Sequence, residues 1–130
     1  MTEYCREQIA ALAGPGHEDA FFSLIHAPIS ILPELVEAYR SESDRQQRWE
    51  ILRVICERRS PDSLQFLAEE LFDSDGEIWK QALDGIVMLG GADPIKALEA
   101  AKARASLAVR GHDFLEWLNE ATEQSRRASQ

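Results

Sequence analysis

At 130 residues with 45% hydrophobic side chains, the chain is long enough to bury one core and too apolar to be disordered. Its 23 acidic residues against 14 basic give a net charge of −9, which argues against DNA or RNA as a partner, since phosphate contacts need a surplus of Lys and Arg. No run approaches the roughly 18 apolar residues of a membrane span, and helix formers dominate while strand-type alternation is lacking, so the expected fold is all-α.

Thr2 is placed to cap a first helix over residues 3–13, with Ile9, Leu12 and Ala13 inward. Gly14-Pro15-Gly16 ends it, because glycine accepts a left-handed turn and proline cannot continue the helix. A second helix over 18–26 has Phe21, Phe22, Leu24 and Ile25 as its buried side and stops at Pro28. Ser30 is the expected cap of a third, 31–41, with Pro33 in its first turn. Leu32, Leu35, Val36 and Tyr39 repeat at spacings of three and four, which is one helical face. Ser43-Asp44 turns the chain into a fourth helix, 45–58, with Ile51, Leu52, Val54 and Ile55 inward.

Ser60-Pro61 is a cap followed by proline at the first helical position. The fifth helix runs to about Phe72, striped by Leu64, Leu67, Ala68 and Leu71. After the turn Asp73-Ser74-Asp75-Gly76, a sixth covers 77–89 and is closed by Gly90-Gly91. Asp93-Pro94 opens a seventh, to about Ala108, ended by Gly111. Asp113 is placed to cap an eighth carrying Phe114, Leu115, Trp117 and Leu118, and the tail SRRASQ is expected to fray. By spacing, Trp79 reads as core and Trp117 as the seal of the C-terminal end.

Eight short helices with tight turns suggest antiparallel pairs. ILPELVEAYRSESD (31–44) also aligns with SLQFLAEELFDSDG (63–76), placing Leu32 on Leu64 and Leu35 on Leu67, an offset of 32 residues. The following helices align at an offset of 31, with Ile55 on Ile86, and DPIKALEAAKAR (93–104) begins a third copy. A period in the thirties built from helix pairs is a solenoid signal. The expectation is a single domain over 1–130, with repeats at 31–60, 61–91 and 93–110 and end caps at 1–28 and 111–126.

The segment DSLQFLAEELFDSDGEIWKQALDGIVMLGGADPIKALEAA resembles the short HEAT-like repeats related to those of phycobilin lyases. It shares their leucine-rich first helix, acidic turn, and second helix with small residues (Ala82, Gly85) ending in glycine. The resemblance implies a short α-α superhelix of antiparallel helix pairs. One departure is visible. The arginine that usually follows the first aliphatic residue of the second helix has its equivalent at Arg48, but Trp79 stands there in the next copy.

Catalytic signals are sparse, and no enzyme is expected. His17, His26 and His112 form no HxxxH or HExxH set, so neither metal nor cofactor is implied. Gly14-Pro15-Gly16 and Gly90-Gly91 lack the strand a phosphate loop requires. Cys5 and Cys56 fall in helical apolar patterns without a CxxC, which suits a reducing compartment. The N-terminal MTEYCREQ has no signal-peptide core, so the expected location is cytoplasmic.

In helix-pair solenoids the second helices line one face. The outward positions of the fourth helix are Gln46, Trp49, Glu50, Arg53 and Glu57; those of the sixth are Glu77, Lys80, Gln81, Asp84 and Met88. Trp49 beside Arg53 has the composition of a binding hot spot, though its spacing to Leu52 and Cys56 equally fits core packing. Arg45, Arg48, Arg53, Arg58 and Arg59 are expected to pair with Glu50, Glu57 and the acidic turns. The partner is expected to be another protein, with no nucleic acid or membrane, and the chain itself a monomer or weak homodimer. EIWKQALDGIVMLGG resembles acidic HEAT-like antidotes of bacterial toxins, which implies an immunity protein against a basic toxin domain. The alternatives are a lyase-like or chaperone-like accessory protein holding a small cofactor, and a structural oligomer.

Overall fold

A computed structural model describes residues 1–107 and 112–128. The expected end of the seventh helix at Ala108–Gly111 and the last two tail residues lie outside them. Among the described residues the chain is all-α, with helices α1 Glu3–Ala11, α2 His17–His26, α3 Ile31–Ser41, α4 Arg45–Glu57, α5 Leu64–Glu70, α6 Gly76–Leu89, α7 Ala92–Leu107 and α8 His112–Ala128. A 3-10 turn, Pro61–Ser63, leads into α5. No helix among the described residues is long and apolar enough to cross a membrane.

The chain divides into two compact units, Met1–Arg59 and Ser60–Gln130. Each contains two helix hairpins. In the first unit α1 packs on α2 and α3 on α4, while α1 also meets α3 and α2 meets α4. The second repeats the pattern, with α5 on α6, α7 on α8, α5 against α7 and α6 against α8. First helices thus lie on first helices and second on second, the packing of consecutive helix-pair repeats.

Local chemistry sets most boundaries. Thr2 Oγ1 accepts from the Cys5 amide at 3.2 Å, and Asp44 accepts from the Gln47 amide at 2.9 Å. Asp75 accepts from the Glu77 amide at 3.0 Å, so α6 starts at Gly76. Ser60 accepts from the Asp62 amide with Pro61 in the first turn. Gly90 and Gly91 end α6 at φ 70° and 90° with open space around a would-be Cβ. Glycine is needed there for its backbone freedom, and the room for a side chain is irrelevant.

Several expectations are corrected. Gly14 is not left-handed, since among the described residues only Gly90, Gly91 and Arg59 have positive φ. Instead α1 ends at Ala11 in tightened turns, with Ala13 donating to the Ala10 carbonyl and Gly14 to that of Ala11. Ala13 is therefore past the helix and exposed. Ser30 makes no capping bond, and Ile31 and Leu32 donate instead to Pro28 and Ile29. Asp93 and Asp113 sit inside the first turns of α7 and α8 rather than ahead of them, which still favours the positive end of each helix dipole.

Phe22 is 66% exposed. Ala20 and Leu24 hold the buried face of α2, and Phe22 is about 200° around the helix from Ala20. Val36, Leu64, Ala68 and Leu115 are half-buried, whereas Phe66 joins the core. Ile51, Leu52, Val54 and Ile55 are fully buried, as are Ala82 and Gly85 in α6. Cys5 and Cys56 are buried and reduced.

Candidate functional site

None of the ten outward positions is buried: Gln46, Glu77 and Asp84 are exposed, and Trp49, Glu50, Arg53, Glu57, Lys80, Gln81 and Met88 are half-buried. They fall into two separate sets, one on α4 and one on α6.

On α4, Arg53 organises the set. Its guanidinium lies over the Phe21 ring of α2 at 4.2 Å and 6.0 Å from the Trp49 ring centre. One of its nitrogens stands 3.9 Å from Glu50, whose other oxygen accepts from Gln46 at 3.3 Å. Trp49 is thus an intermediate case, neither core nor a free flag. The spacing of Phe21 predicts a core residue; half-buried, it is the platform for the arginine.

On α6, Lys80 has the corresponding role. Its ammonium lies 5.1 Å from the Trp117 ring centre and 5.7 Å from that of Trp79. Trp79 is 9% exposed and meets Phe114 edge-to-face at 5.0 Å, and Phe114 meets Phe72 at 5.5 Å. Trp117 stands perpendicular to Trp79 at 6.0 Å and remains 41% exposed, so it is a surface residue rather than a seal. Along α6, Asp84 is exposed as a residue, yet desolvation raises its carboxyl above the ordinary value.

The expected ion pairs of the α4 arginines hold for Arg53 but not for Arg58. The Arg58 guanidinium donates through one nitrogen to the carbonyls of Leu24 at 2.7 Å, Ile25 at 3.2 Å and Ala27 at 2.8 Å. These are the orphan carbonyls at the C-terminus of α2. A sequence signal existed: α2 ends at Ala27-Pro28 without the glycine that would satisfy them. Burial pulls the Arg58 pKa below its ordinary value, and its Nε is buried without a partner. Arg48 donates to the Tyr39 hydroxyl at 2.9 Å. Gln47, buried, donates to the Ile9 carbonyl at 2.6 Å.

Burial, reinforced by the negative charge of Glu34, pushes the Cys5 thiol up to about 11, which suppresses the nucleophilic thiolate. His17 and His26 stand exposed at opposite ends of α2, His26 against the Phe22 ring at 4.3 Å. Among the described residues no three His, Cys, Asp or Glu groups are placed to share a metal ion. An open groove of about 340 Å³ runs between α5 and α7, lined by Ala68, Ala97 and Ala100, with the Arg104 guanidinium 3.8 Å over Phe72. It is at the lower edge of the size range of ligand pockets, about 300–1,000 Å³, and touches none of the ten positions.

No protein-family model, curated protein or solved structure matches the chain.

Proposed function

We propose that the chain is a non-enzymatic protein-binding module and, more specifically, an immunity-type antidote that occupies a basic surface on a cognate bacterial toxin. One observation carries the reading. Helices α4 and α6 each bear a cation laid against two aromatic rings, Arg53 by Phe21 and Trp49, with Glu50 beside it, and Lys80 by Trp79 and Trp117. Partly exposed aromatics whose rotamers are already fixed lose little entropy on docking, which makes them efficient contact residues. The net charge of −9 favours encounter with a basic partner.

Tagged protein recovered from its native host should bring one partner with it in near-equimolar amount, identified by mass spectrometry. Glu77→Arg with Asp84→Arg changes two exposed positions. This double variant should keep its melting temperature within about 2 °C and lose that partner. If the variant retains the partner, the α6 face is not the contact surface. If no protein is recovered, the module reading fails.

A further inference from the structure

We propose that Trp117 and Lys80 form the contact point on α6 and α8 for a partner segment that places a carboxylate side chain beside an aliphatic one; this deepens the protein-binding reading, rests on it, and sets one acidic group within the otherwise basic surface that reading gives the partner. The first observation is the direction of Lys80. Glu77 stands three residues before it and Asp84 four residues after, the spacings at which a helix forms ion pairs. Among the described residues the ammonium nevertheless pairs with no carboxylate, and it lies over the two indoles instead. In a chain with 23 acidic residues, an ammonium left without a counter-charge and held against aromatic faces is available to an incoming anion.

The second observation is how Trp117 is held. It is 41% exposed, yet its ring is fixed edge-to-face on Trp79, which is buried and itself braced by Phe114. The exposed part of the indole is therefore a rigid apolar surface next to a positive charge. An Asp or Glu reaching Lys80 would bring its neighbouring aliphatic side chain onto that surface, excluding water from the new ion pair and strengthening it.

The test uses a phage-displayed random dodecapeptide library selected on the intact protein. Selected peptides should carry Asp or Glu next to an aliphatic residue, should shift the Trp117 indole N–H resonance, and should bind Trp117→Ser and Lys80→Gln about tenfold more weakly. Lys80→Arg should retain binding. Should Trp117→Ser unfold the chain, Lys80→Gln alone decides. Selected peptides that lack Asp and Glu, equal binding by Lys80→Gln, or no selected peptide at all would overturn the proposal. So would a wild-type dimer converted to monomer by Trp117→Ser, which would make the occupant a second copy. These outcomes leave the host-partner recovery untouched, so a failure here is distinguishable from a failure of the protein-binding reading.

Discussion

The two units have the same hairpin-on-hairpin packing but are tied together by different chemistry. In Met1–Arg59 hydrogen bonds from side chains to backbone cross between the hairpins: Gln47 to the Ile9 carbonyl and Arg58 to three carbonyls closing α2. The Thr2 amide likewise donates to the Glu34 carboxylate. In Ser60–Gln130 the centre is a chain of rings, Phe72, Phe114, Trp79 and Trp117, from three regions of the unit. The repeat alignment locates where they diverge, since Trp79 stands where the preceding copy has Arg48, which bonds Tyr39. A helix-pair repeat therefore specifies which helices touch without specifying the chemistry that joins them.

The sharpest way to break the comparison is Phe114→Ala, which removes the ring linking Phe72 to Trp79. Truncating a buried aromatic costs about 3–5 kcal/mol. Amide exchange should accelerate in α6 and α8 well before α1 to α4; uniform acceleration would show that the aromatic chain is not specific to its unit. Next is Arg58→Met, which keeps the stem but leaves the α2 carbonyls without a donor. Loss of bonds from a charged donor predicts about 2–3 kcal/mol, read as a lowered denaturation midpoint with faster exchange confined to α2 and α4. An unchanged midpoint would mean that water replaces the guanidinium.

The smallest effect is on the alkaline side. The folded thiol of Cys5 has its pKa raised from 9.0 to about 11. The neutral form is thus favoured by folding, and its contribution is complete below about 9.0 and lost as pH rises through about 11. Denaturation midpoints between those limits should fall more steeply for the wild type than for Cys5→Ala. Parallel slopes would show that the thiol is not kept neutral by the fold.

Much of the helical frame is legible in the sequence because it is written locally. Thr2, Asp44, Ser60 and Gly90 act within a few residues of themselves, and the three-and-four spacing of Ile51, Leu52 and Ile55 gives the buried face of α4. What is not legible acts across hairpins. The acceptors of Arg58 lie 31 to 34 residues away, and periodicity carries no information about that pairing. Phe22 misleads because a run of apolar residues on a short helix contains more candidates than one face can bury. The ten outward positions follow from helical phase alone, whereas Phe21 and Trp117, which hold the cations in place, belong to other helices.

The bonds of Arg58 also bear on the standing of the N-terminal hairpin. A guanidinium partly withdrawn from water needs those carbonyls as much as they need it. A shortened chain beginning at Ile31 would retain a charged side chain whose every acceptor had been removed. The opening hairpin is therefore integral to the half-molecule it belongs to, and trimming from that end removes the acceptors of Arg58 together with the helices that pack on α3 and α4.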